Sequence, residues 1–145
     1  MMGADIVAIA RCWIGTPYVH QASLRGAGAD CLGLLRGVWR ALYGQEPGFI
    51  PAYSPDWSEP QGEEVLWRAL SARMLAKPLD VDAGGDVILF RMRDRSVAKH
   101  LGLQARVGET ASFVHAYAGH GVLETSLSAP WQRRIVARFA FPDVQ

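Results

Sequence analysis

One cysteine and two histidines have the residue types and spacing of a nucleophilic site. Cys31 follows Asp30 at the start of an amphipathic pattern, in the segment GAGADCLGLLRGVWRAL. The N-terminus of a helix stabilises a thiolate, so this location is expected to lower the pKa of the thiol. A thiolate also needs a base and a group that orients the base. The question is whether His100 and His115 can supply those partners.

Strand alternation predicts that the two histidines lie on one face of a sheet. In AKHLGLQAR, Leu101 and Leu103 most simply face a core, so His100 points the opposite way. A two-residue turn at Val107-Gly108 would set His100 directly opposite His115, with Cβ atoms about 5 Å apart. An even change in turn length keeps both side chains on one face, whereas an odd change separates them.

Each of these residues also has a structural interpretation. A buried cysteine behaves as a small hydrophobe, and a single strand histidine is more often structural or solvated than catalytic. His20 and His120 lie in predicted loops and are interpreted as solvated. The sequence has no HExxH or CxxC spacing, no GxSxG elbow and no phosphate loop, so we predict neither a metal nor a cofactor. The residues alone leave catalysis and packing equally open.

The periodicity predicts helices in the first half of the chain and strands in the second. Predicted helices cover 4–14, a segment from its N-cap Asp30 to Gly44, and 63–75, with a loop over 19–29. A proline-rich loop follows over 47–62, carrying Tyr53 and Trp57. The strand candidates are 87–92, 99–106, 111–117, 122–127 and 134–141. This order favours an α+β fold with an antiparallel meander.

The bulk properties indicate an ordinary globular domain. The chain has 145 residues and a formal net charge of +1, which gives no electrostatic reason to expect nucleic acid or an anionic membrane as partner. Two cysteines cannot build a disulfide framework, and we expect Cys12 to be a buried, inert helix residue. No apolar run approaches the ~20 residues of a membrane span. The N-terminus is not typical of a secretory signal.

Five short motifs in order resemble those of NlpC-type cell-wall endopeptidases, the small papain-like cysteine peptidases of bacteria. The segments are GTPYVHQA, DCLGLL, GDVILFR, KHLGL and FVHAYAGHGVLETSL, with WQRR before the last strand, and together they cover nearly the whole chain. The resemblance implies one NlpC-type domain over 1–145. Its implied fold is papain-like α+β, with N-terminal helices packed on an antiparallel five- to six-stranded sheet.

The resemblance also implies a role for each matching residue. Cys31 falls on the nucleophile, His100 on the base and His115 on the orienting residue. Tyr18 falls on a tyrosine whose hydroxyl can help to hold the oxyanion. Asp30 is better explained as a helix cap than as a catalytic acid.

Three features depart from the family pattern. Leu32 replaces the usual serine, VHQ at 19–21 replaces the commoner Trp-Gly-Gly, and the 47–62 loop is longer than in compact members. The loop could wall the substrate cleft or dock to another protein. The nearest likeness is to the peptidases of phage and gene-transfer-agent tails.

The implied function is hydrolysis of peptidoglycan stem peptides, at the bond between D-glutamate and the diamino acid. Since we find no export signal, we expect synthesis in the cytoplasm and action in the periplasm or cell wall, as part of a virion or gene-transfer-agent particle. Release by a lysis system is the alternative route. The expected partners are the stem peptide and tail proteins, without nucleic acid and without membrane insertion. Three alternatives stay open: a non-catalytic tail-tip component, an N-acetylmuramoyl amidase-type thiol hydrolase, and a thiol hydrolase or acyltransferase acting on lipid or protein.

Overall fold

A computed structural model describes residues 2–48, 53, 62 and 64–143. The helices, in chain order, are α1 (Met2–Arg11), α2 (Cys31–Tyr43), α3 (Val65–Arg73) and α4 (Ala129–Gln132). The strands are β1 (Ser23–Leu24), β2 (Gly28–Ala29), β3 (Leu75–Lys77), β4 (Val87–Phe90), β5 (His100–Arg106), β6 (Ser112–Tyr117), β7 (Gly121–Ser126) and β8 (Ile135–Ala140). None of the helices in these ranges is long and apolar enough to cross a membrane.

The main sheet has six antiparallel strands in the order β3-β8-β4-β5-β6-β7, and β1 pairs with β2 in a separate hairpin. The five predicted strands are all present, with ends that differ by one or two residues. The predicted α+β fold, with helices packed on a six-stranded antiparallel sheet, is therefore confirmed. β1, β2, β3 and α4 were not predicted because elements of two to four residues are too short to show a periodicity.

Helix α2 begins and ends where the sequence predicts. The Asp30 carboxylate accepts a hydrogen bond from the Gly33 N–H at 2.7 Å, which satisfies one of the N–H groups that a helix start leaves unpaired. Gly44 ends the helix in the left-handed conformation, with φ of 76°. The prediction for α1 was too long, since this helix ends at Arg11. Cys12 lies just beyond it and is exposed, so its predicted burial was wrong.

The two faces of the sheet carry different cores. On one face, α1 and α2 pack on strand residues that include Leu101 and Leu103. The opposite face holds a smaller apolar cluster, built on Phe90 and Phe113 and partly covered by Trp131 of α4. His100 alternates with Leu101 and therefore belongs to this second face. The fold thus brings the start of α2 to the start of β5, where the candidate site lies.

Candidate active site

Cys31 is the first residue of α2 and is only 5% exposed. Its thiol points towards the Lys99 carbonyl oxygen, with Sγ and O 4.0 Å apart. The chain packs tightly behind this helix start: a Cβ added to Gly33 would lie 1.8 Å from the Ala22 carbonyl oxygen. The helix start is therefore held against the preceding loop. Cys31 and Cys12 are both free thiols.

The two histidines form a directly bonded pair. His100 Nε2 lies 2.7 Å from His115 Nδ1, and the two residues are 8% and 0% exposed. The predicted direct opposition was wrong, because the connection is a 3-10 turn at Gly108–Thr110 rather than a two-residue turn. The register is displaced by two positions, so that Leu103 aligns with Val114. An even displacement preserves the face, and the predicted adjacency is therefore found.

A glycine leaves room for this pair. A Cβ on Gly102 would lie 2.6 Å from the Phe113 ring and 3.2 Å from the His115 Cβ. Real Cβ atoms essentially never make a contact of 2.6 Å, so a side chain at Gly102 would displace the Phe113 ring or the strand β6 that carries it.

Thr125 extends the pair by a third polar group. Its Oγ1 lies 2.8 Å from His115 Nε2, on the far side of the ring from His100. Thr125 aligns with Phe113 in the sheet, and His115 aligns with Leu123. The contact is therefore a diagonal one, between residues two positions apart on neighbouring strands. Sequence reasoning missed Thr125, although a predicted register for β6 and β7 could have shown it on the histidine face.

Aromatic side chains enclose the imidazoles and set their protonation. The rings of Phe90, Tyr117 and Trp131 lie with centroids 5.8, 5.6 and 5.9 Å from that of His100. Burial lowers the pKa of His100 to about 4. The pKa of His115 is lowered as well, mainly by burial and secondarily by the neighbouring His100. Both rings are therefore neutral at physiological pH.

The thiol is neutral in the same state. Burial, followed by the charge of Asp30, raises the pKa of Cys31 to about 12. Backbone N–H groups of Leu101, Leu32 and Cys31 itself act in the opposite direction. The sequence expectation of a lowered thiol pKa is therefore wrong for this closed site, because loss of solvent outweighs the helix N-terminus. A thiolate could form here only by transfer of the thiol proton to another group of the site.

Asp30 organises the wall of the site in addition to capping α2. Its Oδ2 accepts hydrogen bonds from the Gln21 N–H at 2.7 Å and the Tyr53 hydroxyl at 2.6 Å. The exposed His20 has its Nδ1 3.7 Å from the same oxygen. These contacts agree with the prediction that Asp30 caps the helix.

Tyr18 lies beside Cys31 in the lining of one cavity. It forms an isolated parallel bridge with Ala29, two residues before Cys31 in the chain. Burial, with the charges of Cys31 and Asp30, raises the pKa of the Tyr18 phenol to about 12. The hydroxyl therefore keeps its proton and can donate a hydrogen bond to a developing oxyanion.

A cavity of about 150 Å³ lies between Tyr18, Cys31 and His100. Its lining comprises Tyr18, His20, Asp30, Cys31, Tyr53, Met92, Lys99, His100, Ala116, Tyr117 and Ala118. Tyr53 belongs to the 47–62 loop, so at this residue the loop does wall the cavity; Trp57 lies outside the described residues. His120 is exposed and stacks on Tyr117, with ring centroids 5.4 Å apart. Within the described ranges no cluster of His, Cys, Asp or Glu could hold a metal ion.

Comparison with solved structures identifies the fold. The chain is similar to the NlpC/p60 domain of peptidoglycan hydrolase SagA, with a TM-score of 0.64, 22% identity, and coverage of 96% of this chain and 98% of that one. An NlpC/P60 family protein of Bacillus cereus ATCC 10987 gives a TM-score of 0.64 at 19% identity, over 94% of this chain and 39% of the other. A lipoprotein-like NLP/P60 family protein of Staphylococcus aureus subsp. aureus Mu50 gives 0.64 at 18% identity, over 98% and 42%.

The chain thus spans about two fifths of the length of the Bacillus and Staphylococcus proteins. No family model and no curated protein matches the sequence. The structural likeness nevertheless extends over almost the entire chain. The fold of this protein is that of the NlpC/p60 domains.

Proposed function

We propose that this chain is a cysteine endopeptidase that hydrolyses peptidoglycan stem peptides. The observation that carries the proposal is the hydrogen-bonded pair of His100 and His115, of which His100 lines the same cavity as the buried Cys31. A cysteine that contributed only to packing would not require two buried, hydrogen-bonded imidazoles nearby. The substrate class is supported by the fold, because a domain of the same fold belongs to the peptidoglycan hydrolase SagA.

The first step is proton transfer from thiol to imidazole. His100 Nε2 is engaged by His115, so Nδ1 is the ring nitrogen that takes the proton from Cys31 Sγ. The thiolate then attacks the amide carbonyl carbon and forms the C–S bond of a tetrahedral intermediate. The oxyanion accepts hydrogen bonds from the Cys31 N–H and the Tyr18 hydroxyl. Loss of one such donor typically lowers the rate by ~10²–10³.

The second half returns the proton and frees the enzyme. Collapse of the intermediate breaks the C–N bond, and the protonated His100 gives its proton to the leaving amine. Neutral His100 then takes a proton from water, whose oxygen attacks the thioester. The released thiolate recovers that proton from His100. His115 accepts a hydrogen bond from His100 Nε2–H throughout and so keeps Nδ1 directed to the sulfur.

The proposed bond and the route of delivery are finer points that rest on the sequence resemblance. The proposed bond joins D-glutamate to the diamino acid, and the proposed carrier is the tail of a phage or gene transfer agent acting at the periplasmic cell wall. Particle proteomics tests the carrier, since a tail protein should copurify with intact particles in constant stoichiometry. A protein found only in the soluble lysate would contradict delivery by a tail.

Digestion of purified sacculi tests the activity and the bond together. Wild type should release peptides that begin with the diamino acid and leave stems ending at D-glutamate, as read by mass spectrometry. Cys31→Ala should release nothing, whereas Cys12→Ser is the matched control and should retain wild-type activity because Cys12 is an exposed residue outside the cavity lining. Release of whole stems would indicate an amidase. No release by folded wild type would favour a non-catalytic tail component.

Histidine variants test the assigned roles. His100→Ala should lower turnover by several orders of magnitude, because no other group of the proposed mechanism replaces the base. His115→Asn should be milder than His115→Ala, since an amide can still accept the hydrogen bond from His100. Full activity of His115→Ala would assign His115 to structure alone. Tyr18→Phe should lower kcat more than it raises KM if its hydroxyl holds the oxyanion.

A further inference from the structure

Strand β7 places the Thr125 hydroxyl beside His115 Nε2, the outer nitrogen of the buried His100–His115 pair, which faces away from His100. Thr125 Oγ1 is 2.8 Å from His115 Nε2, and His115 Nδ1 is 2.7 Å from His100 Nε2. The three side chains thus form one continuous chain of hydrogen bonds that ends at the base nitrogen, His100 Nδ1. The His115 side chain is fully buried, so an N–H on its outer nitrogen depends on a protein acceptor.

We infer that Thr125 is a positioning residue that holds His115 in the tautomer protonated at Nε2, and through it keeps the base nitrogen of His100 free of a proton. This inference rests on the proposed function, because it assigns the role of base to His100.

Only one direction of this chain permits catalysis. A base that takes the thiol proton at Nδ1 must already carry its own proton at Nε2, and that N–H must be donated to His115 Nδ1. A neutral His115 that accepts at Nδ1 carries its proton at Nε2. That N–H then donates to Thr125 Oγ1, which is the acceptor within reach. In the reverse direction, His115 donates from Nδ1 to His100 Nε2. The proton of neutral His100 then lies on Nδ1, so this nitrogen cannot accept the thiol proton.

Proton transfer strengthens the same requirement. Once His100 is an imidazolium, both of its ring nitrogens are donors, and His115 can only accept. The Nε2–H of His115 must then find its acceptor in Thr125. An apolar residue at this position would leave that N–H unpaired in a buried place, and so would favour the reverse, inactive direction.

Two substitutions separate the hydroxyl from the shape of the side chain. Thr125→Val keeps the branched shape and removes the hydroxyl, whereas Thr125→Ser keeps the hydroxyl. We expect Thr125→Val to lower kcat roughly tenfold with KM within about twofold of wild type, the size of one lost hydrogen bond. Thr125→Ser should restore most of the activity. Ser126→Ala, an exposed neighbour on the same strand, should have no effect.

The deciding measurement is the tautomer of His115, read by ¹⁵N-histidine NMR without substrate. Wild type and Thr125→Ser should show the Nε2–H form, and Thr125→Val should shift towards the Nδ1–H form. An unchanged tautomer in folded Thr125→Val would overturn the inference, as would an Nδ1–H form in wild type. Failure of wild type to digest sacculi would instead contradict the proposed function, while the tautomer measurement would still decide the role of Thr125.

Discussion

Acid should weaken the fold over a pH range set by the buried histidine pair. His100 and His115 lie under aromatic side chains, and burial lowers the pKa of His100 from its ordinary value of 6.5 to about 4. In the unfolded chain the same imidazole is in water and keeps its ordinary pKa. The two states therefore bind protons in different pH ranges, which makes the free energy of unfolding depend on pH.

The sign follows from which state takes the proton first. Above pH 6.5 the imidazole is neutral in both states, and His100 contributes no pH dependence. As the pH falls below this value, the unfolded chain is protonated first, so stability is lost until the folded state also binds its proton near pH 4. The loss from His100 is ~2 kcal/mol at about pH 5 and approaches ~3 kcal/mol near its lower limit. His115, whose pKa is also lowered, adds to the effect.

Urea unfolding at about pH 7.5 and about pH 5 measures this loss, provided that the slope with denaturant stays constant. The control is His100→Gln, because a glutamine amide can retain the hydrogen bond to His115 without titrating. The variant should lose ~2 kcal/mol less than wild type between the two conditions. Equal losses in wild type and His100→Gln would refute the claim that His100 is neutral and buried in the folded state.

The remaining predictions concern reactivity and packing. Brief alkylation of the native protein should modify Cys12 before Cys31, because Cys12 is exposed while burial raises the pKa of the Cys31 thiol; peptide mapping gives the order, and faster modification of Cys31 would contradict a neutral resting thiol. Gly102→Ala should cost roughly 1–3 kcal/mol by overpacking against Phe113, and an unchanged urea midpoint would show that the strands can separate freely. Asp30→Asn should cost about 1–3 kcal/mol because an amide cannot accept on both of its polar atoms, and a thermal midpoint equal to that of wild type would mean that the carboxylate is not needed.

The sequence carries enough information to predict the sheet around the histidines. His100 and His115 lie in strands of six or seven residues, where alternation is long enough to identify the buried face. The exact register was not predictable, because it depends on the turn at Gly108–Thr110, whose 3-10 form leaves no periodic signal. The displacement was two positions, an even number, so His100 and His115 still share one face of the sheet, as predicted.

The sequence pattern could not predict the protonation state of the Cys31 thiol. The pattern around Cys31 indicates a helix N-terminus, and that part was right. Burial is the main cause of the raised thiol pKa, and Lys99, whose carbonyl lies at the sulfur, is distant from Cys31 in the chain. A pattern along one segment does not report how much water the assembled fold removes from a side chain.

The structure explains part of the departure at 19–21, where VHQ replaces the Trp-Gly-Gly that is commoner in the resembled family. Gln21 stands where the resembled family commonly has glycine, and its φ of 63° is in the left-handed region that favours glycine. A non-glycine residue in this region costs ~1–2 kcal/mol. The Gln21 side-chain amide opposes that cost, because it donates a hydrogen bond to the Tyr53 carbonyl at 2.7 Å that glycine could not make. The Gln21 backbone N–H donates to Asp30, as a glycine N–H could. The glycine-like backbone is retained with a side chain that ties Tyr53 to the site.

Asp30 shows why the resting site is held neutral. Its negative charge raises the pKa of the adjacent thiol, which opposes nucleophile formation. The same carboxylate caps α2 through Gly33 and fixes Gln21 and Tyr53, so it holds the walls of the cavity in place. These donors disperse its charge, and a neutral thiol beside a neutral imidazole needs no buried ion pair in the absence of substrate. In the proposed mechanism, charge separation between Cys31 and His100 is then confined to the moment when a bound carbonyl can receive the electrons.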